Sequence, residues 1–278
     1  MSFPCAAGRN WKRVAGETDY GTEFMMLLDG RNAIVYGGGG SIGGAMARAF
    51  AAQGARVFLA GRTGATLEKV ASEIREKGGR ADTAEVDALD EAAVDAHADA
   101  VAAEAGGIQI SVNVITDNDV QGTPAAEMAV ADYLAPVETG LRSRFLTARA
   151  AARHMKRQRS GVILMFGGDG DRSATRRYHL GGLVTGFSAI EALRRQLACE
   201  LGEYGIRVIT LQTGGVPESI PAEVEWRAPI EAGIAEQTLL GRAATLEDVG
   251  NVAVFAASDW ARTITGAAIN MTCGAFLD

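Results

Sequence analysis

The stretch Ala33-Ile34-Val35-Tyr36-Gly37-Gly38-Gly39-Gly40-Ser41-Ile42-Gly43 decides the fold of this chain. Its first four residues form a continuous apolar run, which is typical of a strand buried on both faces. Gly38, Gly40 and Gly43 then satisfy the spacing G-x-G-x-x-G, and a helical pattern follows them. Because a helix N-terminus offers free N–H groups and a positive dipole end, this order predicts a binding site for the pyrophosphate of a dinucleotide. A purely structural glycine turn is the alternative.

From Arg31 onward, short apolar runs alternate with amphipathic helical stretches. The predicted strands are 33–36, 56–60, 80–86, 108–114, 161–166, 207–212 and 268–271. The predicted helices are 41–53, 66–77, 91–105, 137–158, 183–204 and 246–257. Such alternation predicts an α/β fold with a Rossmann-like, doubly wound parallel sheet. No linker or internal repeat interrupts the pattern, so we expect a single domain over 25–278.

The first 24 residues differ from the rest, because they have neither a helical nor a strand period and lack the apolar core of a signal peptide. We interpret 1–24 as an N-terminal extension. The alternative is an arm that packs on a neighbouring subunit through Trp11, Tyr20 and Phe24.

Composition excludes several classes of function. The net charge of −7 argues against a nucleic-acid-binding surface. No apolar run reaches the length of about 18 residues that a membrane span needs. Cys5, Cys199 and Cys273 are widely spaced and odd in number, which favours free thiols and a cytoplasmic location.

A second stretch, Tyr178-His179-Leu180-Gly181-Gly182-Leu183-Val184-Thr185-Gly186-Phe187, resembles the active-site helix of the short-chain dehydrogenase/reductase family. Leu240-Gly241-Arg242 and Ile264-Thr265-Gly266 are similar to the family's C-terminal pattern, so the resemblance runs from about Leu28 to Asp278. It implies an NADP or NAD cofactor and hydride transfer to or from a small carbonyl or alcohol. It also implies a homodimer or homotetramer, assembled through the helices at 137–158 and 183–204.

The resemblance also implies which residues bind the cofactor. In the glycine-rich stretch they are Gly37, Gly38, Gly40, Ser41, Ile42 and Gly43. Ser41 would donate to a phosphate or cap the helix. Arg62 favours NADP over NAD, because an arginine grips a 2′-phosphate, although a solvated surface arginine is the alternative. Asp87 is expected to accept from the adenine amino group, and Asn113 to brace the sheet beside the cofactor.

At the catalytic end, the resemblance makes Tyr178 the acid/base that exchanges a proton with the substrate oxygen. The family's lysine, serine and asparagine around this tyrosine align with Gly182, Gly168 and Gly140. An unperturbed tyrosine has a pKa of about 10, so proton transfer near neutral pH needs a nearby cation. Arg176, Arg177 and His179 are adjacent to Tyr178, and adjacent helical residues do not face each other, so direct substitution is not expected.

Two functions are therefore open. The first is an NAD(P)-dependent oxidoreductase with impaired or altered catalytic machinery, and the second is a non-catalytic NAD(P)-binding sensor or partner subunit. The three glycines suggest a pocket enlarged for a bulkier ligand. Asp169 and Asp171 lie in a glycine-rich loop without a further ligand in sequence, so no metal site is expected.

Overall fold

The structure, a computed structural model, describes residues 26–168 and 172–277. The predicted extension at 1–24 lies outside the described residues. The seven strands are β1 (Asn32–Tyr36), β2 (Arg56–Gly61), β3 (Arg80–Glu85), β4 (Ile110–Asn113), β5 (Gly161–Gly168), β6 (Ile206–Thr213) and β7 (Ala267–Asn270). They form one parallel sheet in the order β3-β2-β1-β4-β5-β6-β7. The winding direction reverses between β1 and β4, which is where doubly wound sheets bind their ligands.

Helices cover both faces of the sheet. They are α1 (Ser41–Ala52), α2 (Gly64–Glu76), α3 (Glu91–Ala105), α4 (Val130–Gln158), α5 (Arg172–Tyr178), α6 (Leu183–Leu201), α7 (Arg227–Ala235) and α8 (Leu246–Ala257). Strand residues alternate between two apolar layers. In β1, Val35 packs in the layer under α1, α2 and α8, whereas Ile34 packs in the layer under α3, α4 and α6. The predicted α/β doubly wound fold is confirmed.

The helices differ from the prediction mainly at α4, α5 and α7, and the other helix bounds shift by at most three residues. Helix α4 begins at Val130 rather than at 137, because the helix continues through Pro136. Helix α7, like α5, lies where no helix was predicted. Pro229 falls in its first turn, where a proline is tolerated because the early N–H groups have no partner within the helix.

Candidate active site

A cleft of about 770 Å³ lies at the carboxyl ends of the strands, centred on the switch between β1 and β4. Arg62 and Asp87 line the end beside β2 and β3, whereas Phe166 and Thr213 line the end beside β5 and β6. The glycine-rich turn between β1 and α1 lies between these two ends. This shape is long enough to hold an extended ligand across the switch point.

The glycine turn is closed so tightly that side chains would not fit. Gly37 has a φ of +87°, and a Cβ on it would lie 2.9 Å from the carbonyl oxygen of Val114. A Cβ on Gly43 would overlap the carbonyl oxygen of Gly37. Gly38 does not line the cleft but packs beneath it, because its Cβ would meet the Leu59 side chain at 2.7 Å. The turn therefore brings backbone, not side chains, to the floor of the cleft.

The N-terminus of α1 opens into this cleft. Gly40 is its N-cap residue and supplies no side-chain cap, and the first turn contains no acidic residue. The first N–H groups of the helix consequently face the cleft together with the positive end of the dipole. These features fit the pyrophosphate of a dinucleotide.

Ser41 and Ile42 both line the cleft. The Ser41 hydroxyl does not cap the helix but donates to the carbonyl oxygen of Ser219 at 3.3 Å, which joins α1 to the segment after β6. Its predicted contact with a phosphate stays a prediction.

The β2–β3 end of the cleft carries the two charges singled out from the sequence. Arg62 is exposed, and its guanidinium has no hydrogen-bond or ion-pair partner within 26–168 and 172–277. Asp87 accepts from the backbone N–H of Leu89 at 3.0 Å through one oxygen, and it lines this end of the cleft. This end can therefore bind a phosphate and a hydrogen-bond donor at the same time.

Asn113 lies behind the cleft rather than on its surface. Its amide donates to the Thr147 hydroxyl at 3.1 Å, and its oxygen accepts from the N–H of Ile115 at 3.2 Å. Asn113 thus ties the end of β4 to α4, and it braces the cleft wall rather than lining it.

Tyr178 and Gly182 do not share a helix. Tyr178 is the last residue of α5, and a short non-helical segment follows it before α6 begins at Leu183. Within this segment, His179 has a φ of 48° and Gly181 a φ of 55°, both in the left-handed region. Tyr178 is half-buried and is not among the residues that line the cleft. Its role as catalytic acid/base stays a prediction.

The Tyr178 side chain lies instead beside α7 and Arg177. A Cβ on Gly233 of α7 would lie 3.2 Å from the Tyr178 hydroxyl and 3.6 Å from the terminal nitrogens of Arg177. The Arg177 guanidinium carbon is 5.5 Å from the centroid of the tyrosine ring. A cation does lie close to the phenol, although the two residues are adjacent in sequence, because α5 ends at this point.

Gly140 and Gly168 leave no extra room in the cleft. A Cβ on Gly140 would lie 2.7 Å from Asp117 Oδ1, and one on Gly168 would lie 2.8 Å from the ring of Phe187. These neighbouring side chains occupy the space that the missing side chains would fill. The sequence-based suggestion of an enlarged pocket is therefore not supported at these two positions.

Helix α4 leaves no room for a side chain at Gly182. A Cβ there would overlap the carbonyl oxygen of Tyr133 on α4 and would lie 3.1 Å from the Pro136 ring. Gly186, one turn further along α6, also faces Pro136, and the Tyr133 hydroxyl is hydrogen-bonded to Thr185 at 2.7 Å. The glycines allow α4 and α6 to approach closely, as small residues do elsewhere at helix contacts.

An ion pair between Asp117 and Arg144 lies at the β4–β5 end of the cleft. Arg144 also donates to the carbonyl oxygens of Phe166 at 3.1 Å and Gly140 at 3.4 Å. Burial raises the pKa of the Asp117 carboxyl, and its attraction to Arg144 offsets part of that rise. The pair thus fixes a carboxylate at the wall of the cleft.

Sequence reasoning missed this pair, although α4 carried a signal for it. Gly140, Arg144, Thr147 and Ala151 follow one another at helical spacing on the buried face of α4. An arginine on such a face needs a buried anionic partner. Asp117 supplies it from the segment after β4.

Comparison with known proteins agrees with this architecture. A family model described as enoyl-(acyl carrier protein) reductase matches residues 38–275. D-threitol dehydrogenase of Mycolicibacterium smegmatis is 30% identical over 88% of this chain and 92% of its own length. The chain belongs to the short-chain dehydrogenase/reductase family. It is accordingly an oxidoreductase of the type found in this family.

Two solved structures of short-chain dehydrogenases extend the likeness. A gluconate 5-dehydrogenase from Burkholderia cenocepacia, in complex with NADP and tartrate, has a TM-score of 0.79 and 25% identity, covering 90% of this chain and 97% of that one. A 7α-hydroxysteroid dehydrogenase complexed with NADH has a TM-score of 0.77 and 26% identity, covering 90% and 96%. Similar structures in this family thus hold either nucleotide.

None of the helices in the described part of the chain combines the length and apolar character needed to cross a bilayer. Over the same residues, no group of three potential metal ligands comes together. Asp169 and Asp171 lie outside the described residues.

Proposed function

We propose that this chain is an NAD(P)-dependent dehydrogenase of small polyhydroxylated alcohols, working with altered catalytic machinery. The observation that supports it best is the backbone cradle at Gly37–Gly43, which opens with the N-terminus of α1 onto the cleft. The substrate class is carried over from the named activity of the D-threitol relative. When bound, the nicotinamide would exchange a hydride with the substrate carbon.

The residues proposed to hold the cofactor divide along the cleft. Backbone at Gly37, Gly40 and Gly43 would face the pyrophosphate, with Ser41 and Ile42 beside it. Arg62 and Asp87 would bind the adenosine end, while Gly38 and Asn113 support the wall from behind. The chain's own contribution here is to orient the nucleotide.

Nucleotide binding is the test of this proposal. We expect the purified protein to bind NADPH or NADH with micromolar affinity in calorimetry. Gly43→Ala should weaken binding at least about tenfold, because its Cβ would displace the Gly37 carbonyl from the floor of the cleft. Gly202→Ala is the matched control, since a Cβ at Gly202 would meet nothing within 4 Å. If neither nucleotide bound at millimolar concentration, the proposed oxidoreductase function would be wrong.

Cofactor preference gives a second prediction. Arg62→Ser is expected to lower NADPH affinity about tenfold or more and to leave NADH affinity nearly unchanged, because a hydrogen bond to a charged phosphate contributes about 1.5–3 kcal/mol. Arg262→Ser, another exposed arginine far from the cleft, should change neither affinity. Equal affinities for the two nucleotides that Arg62→Ser does not alter would contradict the preference for NADP.

A non-catalytic nucleotide sensor is the second candidate, and the closed positions at Gly140, Gly168 and Gly182 favour it. Tight nucleotide binding without turnover of any alcohol or carbonyl would support this candidate.

We also propose a cytoplasmic homodimer or homotetramer built on α4 and α6. On α4, Val130, Leu134 and Phe145 expose apolar side chains of the kind that subunit interfaces cover.

A further inference from the structure

We propose that Asp117, held by Arg144, is the base that accepts the proton of the substrate hydroxyl in this cleft. The inference rests on the proposed dehydrogenase function. It assigns proton transfer to a residue that the family resemblance does not point to.

The position of Asp117 supports this role. Asp117 follows β4 directly after the residues that line the switch point, and its carboxylate lies where a side chain on Gly140 would otherwise stand. Phe166, whose carbonyl is bound by Arg144, immediately precedes Gly167 in the cleft wall. The carboxylate therefore lies at the end of the cleft opposite Arg62, where the reacting half of a dinucleotide and its substrate would meet.

The Asp117 carboxylate is also held in a fixed position. The Arg144 side chain is 1% exposed and that of Asp117 is 13% exposed, so both charged groups are largely removed from water. Arg144 reaches Asp117 with two nitrogens, while its buried Nε has no partner among the described residues. An arginine held this way keeps the carboxylate in one orientation.

Among the described residues, Tyr178 and Asp119 are the alternative bases, and both are less well placed than Asp117. The Tyr178 hydroxyl lies beside Gly233 rather than in the cleft lining. Asp119 also lines the cleft, but it is bound by Gln121 of its own loop and not by a buried cation. Of the carboxylates at this end, Asp117 is the one with a rigid support. Burial also raises its pKa, which makes it a stronger base than a free carboxylate.

The step balances without a metal. The O–H bond of the alcohol breaks and its proton passes to an oxygen of Asp117. The hydrogen of the C–H bond on the same carbon would leave with both bonding electrons as a hydride to the oxidised nicotinamide, and the C=O bond would form. The alcohol would be oxidised and NAD(P)⁺ reduced. Asp117 would then lose the proton to water, which restores its ion pair with Arg144.

The test compares the wild type with Asp117→Asn/Arg144→Gln, which replaces the ion pair by a neutral hydrogen-bonded pair and leaves no buried charge unpaired. With D-threitol and galactitol as probes, we expect kcat to fall about a hundredfold or more, as for loss of a general base. NADPH affinity and Tm should stay close to those of the wild type. Glu127→Gln, an exposed carboxylate outside the cleft, is the control.

A second readout does not depend on turnover. Calorimetry of D-threitol binding to the NADPH complex should show about tenfold weaker binding in the double variant, because the substrate hydroxyl loses its charged acceptor. Asp117→Glu keeps the ion pair but moves the carboxylate, so it should lower kcat about tenfold while the protein still folds.

The outcomes separate this inference from the function on which it rests. Failure of the wild type to bind nucleotide would contradict the proposed function itself. A wild type that binds NADPH but neither binds nor oxidises the polyols would contradict the proposed dehydrogenase function and, with it, the role of Asp117. A double variant with unchanged kcat would overturn the role of Asp117 alone, as would a Tyr178→Phe variant that abolishes turnover while the double variant keeps it.

Discussion

Gly182→Lys, which introduces the lysine that the family resemblance aligns with this position, is expected to destabilise the protein by about 3 kcal/mol and to add no activity. The reason lies in its Cβ, which would overlap the Tyr133 carbonyl oxygen and contact Pro136. Helices α4 and α6 would have to separate at their closest contact. Even if the two helices separated, the lysine would not lie one helical turn from Tyr178, because the helix is interrupted between these two residues.

Urea unfolding of Gly182→Lys, Gly182→Ala and Gly202→Ala would measure this effect. Gly182→Ala isolates the Cβ and should account for most of the loss. Gly202 lies at the C-terminal end of α6 with open space around it, so Gly202→Ala should be neutral or slightly stabilising. Equal stability of the three variants would mean that α4 and α6 are not in close contact at Gly182.

The fold could be read from the sequence because its determinants are local. The apolar strand Ala33–Tyr36, the glycine turn and the helix after it are contiguous, and each follows from composition and spacing alone. The same holds for α3 and α8, whose bounds match the prediction. Asp90 caps α3, and Thr245 and Asp248 form a capping box on α8, so these boundaries are encoded by single side chains.

The glycine-rich turn beside the cleft could be predicted for the same reason, whereas the contacts around Tyr178 and Gly182 could not. The break after Tyr178 depends on Gly181 in a left-handed conformation and on the close contact of Gly182 with α4, which joins residues about 50 positions apart. The partnership of Asp117 and Arg144 likewise spans 27 positions. A single sequence gives the residues in such pairs but not their contact.

For a related reason, the sequence could not show that other side chains fill the space beside Gly140 and Gly168. A glycine in place of a catalytic side chain suggests an empty volume when only the sequence is considered. In the folded chain, Phe187 lies over Gly168 and Asp117 lies against Gly140. The space beside these two glycines is therefore filled by neighbouring side chains, in keeping with the close packing of protein interiors.

Arg144→Met is expected to lower the free energy of unfolding by about 3–5 kcal/mol, because it leaves the Asp117 carboxylate buried without its cation. The substitution keeps the apolar stem of the side chain and removes only the guanidinium. Arg142→Met is the matched control, since Arg142 is exposed on the same helix and should contribute less than about 0.5 kcal/mol.

Asp117→Leu in the Arg144→Met background completes the test, because it removes the remaining charge. Replacing both members of a buried ion pair by apolar residues is often close to neutral, so the double variant should recover much of the stability that the single variant loses. Urea unfolding of the four proteins gives the coupling energy directly. A coupling near zero would show that Arg144 does not hold Asp117, and the carboxylate would then lack the fixed position on which its role as a base depends.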